Sequence, residues 1–86
     1  MSDYEHIVIS AVRYALGRMT YIVSLTVDYV IKDIEENKLS KSCLALIKRD
    51  IEEELNPDKL RVDSIFTVDI IKDWKRLLNK IEEVVK

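Results

Sequence analysis

A chain with one glycine, Gly17, and one proline, Pro57, has almost none of the residues that tight turns and strand ends demand. Its connections must be few and its elements long, which favours helices joined by short links. Beta-branched residues are numerous, so propensity alone does not exclude strands, and periodicity has to decide. Hydrophobic residues make up 48% and charged residues 35%, the balance of a chain that folds. The 86 residues are expected to form one domain, 1–86. A domain of that size buries only about two-thirds of its surface, so its core is thin and self-association is a natural supplement.

The pattern along the chain predicts four helices. Ser2-Asp3-Tyr4-Glu5 reads as a capping box, and Ile7, Val8, Ala11, Ala15 and Leu16 recur behind it at helical spacing. This helix, 3–16, is expected to stop at Gly17, which takes a left-handed cap at no steric cost. A second, 20–36, starts at Thr20 and carries Ile22, Val23, Val27, Val30, Ile31 and Ile34. The competing arrangement is one unbroken helix over 3–36, since an internal glycine costs only about 1 kcal/mol. The break is preferred because a rod about 50 Å long has no core of its own to lie on.

Asn37-Lys38-Leu39 is a short link, and Ser40 caps a third helix, 41–55, with Cys43, Leu44, Ile47, Ile51 and Leu55 on one stripe. It is expected to end at Asn56-Pro57, because the residue before proline disfavours the helical region. Residues 57–66 read as the longest irregular connection, held to the core by Leu60, Val62, Ile65 and Phe66. Thr67 is expected to cap a fourth helix, 68–85, striped with Ile70, Ile71, Trp74, Leu77, Leu78, Ile81, Val84 and Val85. The fold class is therefore all-α, a small four-helix bundle, expected to be homo-oligomeric.

Composition bears on function mainly by exclusion. A formal net charge of −2 and a pI near 5.4 argue against bulk electrostatic binding to nucleic acid. The longest uncharged run, Met19 to Val27, is too short to span a bilayer, and no secretory signal is recognisable. The lone Cys43 fits a reducing compartment, so a cytoplasmic setting is expected. His6 is the only histidine and has no second soft ligand at metal spacing. Cys43 lies on an apolar stripe and reads as core, and Glu52-Glu53-Glu54 reads as a solvated face. No glycine-rich phosphate loop is present. No enzyme, metal or cofactor is expected.

One stretch stands apart. Arg13 and Arg18 are the only Lys or Arg residues among the first 31, and all four tyrosines, Tyr4, Tyr14, Tyr21 and Tyr29, fall in the same segment. Arginine and tyrosine combine large contact area with a hydrogen-bonding tip, as recognition surfaces favour. If a second helix begins at Thr20, its free N–H groups, the Thr20 hydroxyl and the Arg18 fork form an anion cradle. Tyr14 or Tyr21 can then stack on a base. The plainer reading makes the tyrosines half-buried helix residues, with the arginines solvated or tied to Asp28 or to a helix C-terminus. Trp74 likewise reads as a core anchor or as a partner hot spot. The candidate binding residues are Arg13, Tyr14, Arg18, Thr20, Tyr21 and Trp74.

The run Arg13-Tyr14-Ala15-Leu16-Gly17-Arg18-Met19-Thr20-Tyr21 resembles an "RYALGRxTY" segment that opens small phage and prophage proteins of Gram-positive bacteria. The likeness extends to Val27-Asp28-Tyr29-Val30 and to Asp69 through Leu78, including Trp74. What it implies is context: an accessory phage product that inhibits a host protein, sequesters a signal or adjusts gene expression. The expectation is a non-enzymatic, phage-type binding protein, of an anti-defence or host-takeover kind, acting in the host cytoplasm. It would engage a nucleotide-like anion or a host protein through Arg13 to Tyr21. The alternatives are an assembly module with the same segment as subunit interface and, less favoured, a small DNA-binding regulator. The last is weakened by the acidic balance and by a second helix too apolar to read bases.

Overall fold

The computed structural model describes residues 1–18, 20–56 and 65–85, and for Thr20, Ile65, Phe66 and Thr67 it describes the backbone. Four helices account for these segments: α1 (Asp3–Ala15), α2 (Thr20–Glu35), α3 (Lys41–Glu54) and α4 (Ile65–Val84). No strand occurs among the described residues. Each helix packs on two others: α1 on α2 and α3, and α4 on α2 and α3, with the broadest contact between α2 and α4. The bundle is thus a ring in the order α1–α2–α4–α3, with α1 diagonal to α4.

Local chemistry sets the boundaries. The capping box at α1 forms as expected: the Ser2 hydroxyl accepts from Glu5 N–H at 3.2 Å, and Glu5 Oε1 accepts from Ser2 N–H at 3.1 Å. The break at Gly17 also forms, by a different device from a helical cap. Leu16 turns extended (φ −61°, ψ 125°), Gly17 follows at φ +82°, and Arg18 N–H donates to the Ala15 carbonyl at 3.0 Å. That is a type II turn, whose third position needs a positive φ.

α2 ends in a Schellman motif. Asn37, at φ +59°, donates to the Ile34 carbonyl, and Lys38 N–H donates to that of Asp33, both at 3.0 Å. Ser40 caps α3, its hydroxyl accepting from Cys43 N–H at 3.2 Å. α4 departs from expectation, beginning at Ile65, so that Thr67 lies inside the helix and does not cap it. Phe66, Ile70 and Trp74 already stand at spacing four, which carries the helical pattern one turn further back. Of the expected 57–66 connection, residues 57–64, with Leu60 and Val62, lie outside the described residues.

The core is built from Val8, Ile9, Val12 and Ala15 of α1, Val23, Val27, Val30 and Ile34 of α2, Leu39, Cys43, Leu44, Ile47 and Ile51, and Trp74, Leu77 and Ile81. One sequence expectation is corrected here. Ile7 and Ala11, on the expected helical stripe of α1, are exposed, and Ile9 and Val12 take their place. The helix carries two apolar stripes, and the larger one, continuous through Ala15, is the one that packs on α2 and α3.

Candidate functional site

The turn places Arg13, Tyr14, Arg18 and Tyr21 around one end of the α1–α2 hairpin. Arg13 Nε reaches across to α3 and donates to Asp50 Oδ2 at 2.8 Å, so this cation ties two helices together. The Arg18 guanidinium lies over the Tyr14 ring, 4.8 Å from its centroid, while its Nε donates to the Tyr14 carbonyl at 3.2 Å. Arg18 thus answers an orphan carbonyl in the last turn of α1, as basic residues at helix C-termini do. Asp28, the other suggested partner, pairs with Arg76 at 2.7 Å. Thr20 opens α2, and its hydroxyl is outside the described side chains. Tyr14 and Tyr21 remain open to solvent, Tyr21 with 71% of its surface exposed.

Sequence reasoning missed a larger feature. On α1, Tyr4, Ile7, Ala11 and Tyr14 follow one another at intervals of three and four; on α2, Tyr21, Leu25 and Tyr29 follow at intervals of four. Ile7 is 65% exposed and Leu25 54%. Between the two helices runs a groove of about 350 Å³ lined by Tyr4, Ile7, Val8, Ala11, Leu25, Thr26, Tyr29 and Val30, with no charged residue among them. The signal was present in the sequence as a second 3–4 spacing on α1. The expected helical stripe of Ile7, Val8, Ala11, Ala15 and Leu16 takes in only Ile7 and Ala11 of it.

A polar cluster closes the far end of this groove. Asp33 is buried, and the Tyr4 hydroxyl donates to its Oδ2 at 2.5 Å. The Tyr29 and Tyr4 hydroxyls are 3.1 Å apart. Tyr4 has one proton and gives it to the carboxylate, so Tyr29 donates to Tyr4. Donation to the Asp33 carboxylate, which only the neutral phenol can make, raises the Tyr4 pKa well above the usual phenol value.

The remaining candidates are placed elsewhere. Trp74 is fully buried and its Nε1 has no hydrogen-bond partner among the described residues, so it stands as the core anchor and not on a surface. Cys43 is buried in the core, and burial pushes its thiol up to about 11. Lys72, Lys75, Arg76 and Lys80 flank a second groove of about 500 Å³ beside Ile31. Arg76 there is held by Asp28 and Asp73, and Lys80 lies 3.8 Å from Glu83. Among the described residues no group of three His, Cys, Asp or Glu is placed to hold a metal, and no helix is long and apolar enough to cross a membrane.

The fold and this face define a class: a small all-α bundle with an uncharged, tyrosine-rich surface on its first two helices. No family model, curated protein or solved structure matches the chain.

Proposed function

We propose that the chain is a non-enzymatic binding module whose working surface is the outer face of the α1–α2 hairpin, and that it docks protein. The carrying observation is the exposure of Ile7, Tyr14, Tyr21, Leu25 and Tyr29 on two adjacent helices, around a groove without charge. Large apolar and aromatic side chains at the centre, with arginine at the margin, are what protein interfaces concentrate. Monomers rarely leave such a patch uncovered without use.

Arg13 and Arg18 favour a protein over a nucleotide-like anion. Both guanidinium Nε atoms are already engaged, one by Asp50 and one by the Tyr14 carbonyl, which leaves less of either fork for a phosphate. Tyr14, with Arg18 laid on it, and Tyr21 then serve as the margin of the docking surface. This reading keeps the accessory, phage-type role that the Arg13–Tyr21 resemblance implies.

The test is site-specific photo-crosslinking in Gram-positive cells, with a photoreactive phenylalanine at Ile7, at Leu25, or at Arg49 on the exposed side of α3. Covalent adducts from Ile7 and Leu25, and none from Arg49, are expected. No adduct from the hairpin positions, or equal yield from Arg49, overturns the reading.

A further inference from the structure

We infer that the occupant of this face is a second copy of the chain, packed antiparallel about a two-fold axis so that two α1–α2 hairpins form a four-helix layer. The inference rests on the working-face reading above and names its partner. Three observations carry it.

The first is area. The more-than-half exposure of Ile7, Tyr14, Tyr21, Leu25 and Tyr29 amounts to on the order of 700 Å². Three tyrosine hydroxyls are part of that sum, and its apolar share falls toward the upper end of the roughly 300–600 Å² reached by the largest patch of an ordinary monomer. The whole sum approaches the ~800 Å² that each partner contributes to a standard interface.

The second is self-complementarity. An isologous contact sets a surface against itself, so any charge near its centre would meet its own copy. The residues lining the groove carry none. Ala11, midway along the α1 stripe and exposed, lets two backbones approach closely there.

The third is the distribution of charge along the hairpin. Arg13 is tied to Asp50, Asp28 to Arg76 and Lys38 to Glu36, while Glu5 and Asp33 are buried in hydrogen bonds of their own. Outside those pairs, the charge that stays exposed along the two helices is Arg18 at the turn end, and Asp3 and Glu35 against Lys32 at the open end. α1 is about 20 Å long, so an antiparallel pair brings the cationic end of one copy to the acidic end of the other, and a parallel pair opposes like ends. Such matching sets orientation more than affinity.

Sedimentation equilibrium of the full chain, from low to high micromolar concentration, tests this. A monomer–dimer equilibrium approaching twice the 10.1 kDa chain mass is expected. Leu25→Lys and Ile7→Lys should each weaken it by roughly tenfold or more while circular dichroism shows the helix content kept. Tyr29→Lys supplies the same reading should one of them unfold. Ala11→Cys, near the axis, should form a disulfide with its own copy on mild oxidation, and Tyr14→Cys, at one end, should not.

A monomer at every concentration overturns the inference. So does a larger assembly, a dimer indifferent to Leu25→Lys and Ile7→Lys, or crosslinking of Tyr14→Cys in place of Ala11→Cys. A monomer whose Ile7 photo-adducts in cells contain a different protein removes self-pairing and leaves the working face standing. A monomer with no adducts removes both.

Discussion

The Glu5 carboxylate holds Ser40. Its Oε2 accepts from the Ser40 backbone N–H at 2.9 Å and from the Ser40 hydroxyl at 2.6 Å, while Oε1 closes the capping box of its own helix on Ser2. Ser40 is the N-cap of α3, and the position three residues on, where a capping box would place a glutamate, is Cys43. α1 therefore supplies the acceptor that α3 lacks. One buried negative charge sits at the N-termini of two helices, where both macrodipoles favour it.

Removing that charge should loosen two helix starts together. Glu5→Ala is expected to lower the melting temperature by several degrees, and more than Ser40→Ala, whose loss as an N-cap costs about 1 kcal/mol. In a double-mutant cycle the two should be clearly non-additive, because Ser40 and Glu5 share their hydrogen bonds. Additive losses by thermal unfolding would mean that the two groups act separately.

The same carboxylate makes stability depend on acid. Hydrogen bonds from the Ser40 hydroxyl and backbone, then from Ser2, hold the Glu5 pKa at about 2, below its usual value of 4.5. A depressed folded-state pKa gives stability that is complete above the unfolded value and lost as pH falls through the folded one. Urea unfolding midpoints should drop between about pH 5 and pH 2, and Glu5→Gln should flatten that part of the profile. An unchanged slope in Glu5→Gln would assign the acid sensitivity elsewhere.

The tyrosine pair facing Asp33 should respond unequally. Tyr4→Phe takes the donor from a buried carboxylate and is expected to lower the melting temperature by several degrees. Tyr29→Phe removes a hydroxyl that bonds only to Tyr4 in this cluster, on a side chain 56% exposed, and should change it little. The raised Tyr4 pKa predicts one phenol that ionises late in an alkaline absorbance titration, a step that Tyr4→Phe abolishes. Since that pKa is raised in the folded state, its contribution holds below the ordinary phenol value near 10 and fades as pH climbs past it.

Local chemistry was legible in the sequence. The Ser2 capping box, the Ser40 cap, the break at Gly17 and the stripes of α3 and α4, apart from Val84, which is exposed at the end of α4, are all written within a turn or two of chain. What was not legible depended on tertiary partners. α1 has apolar residues on two faces, and which one packs is settled by the helices that meet it, so nothing local turns Ile7 and Ala11 outward. Glu5 was recognised for its own helix only, because nothing local says that α3 begins beside it. The one clue was negative: Ser40 is followed by Cys43 where a reciprocating acid belongs. Arg13 could not be matched to Asp50 either, thirty-seven residues away.

The sign of one substitution separates a turn at Gly17 from a continuous helix. In the type II turn the residue sits at φ +82°, where a side chain is strained. Among the described residues a Cβ built there meets nothing nearer than Glu54 Oε1 at 3.8 Å, an ordinary contact, so the cost is in the backbone. Gly17→Ala is therefore expected to destabilise by about 1–2 kcal/mol. Were α1 and α2 one helix, the same change would stabilise by about 1 kcal/mol. Asn37, at φ +59°, is the internal control. Asn37→Gly should be close to neutral, and Asn37→Ala should cost about 1 kcal/mol, because asparagine already tolerates the left-handed region better than alanine does. Chemical denaturation of the three variants reads all of this at once, and a more stable Gly17→Ala would refute the turn.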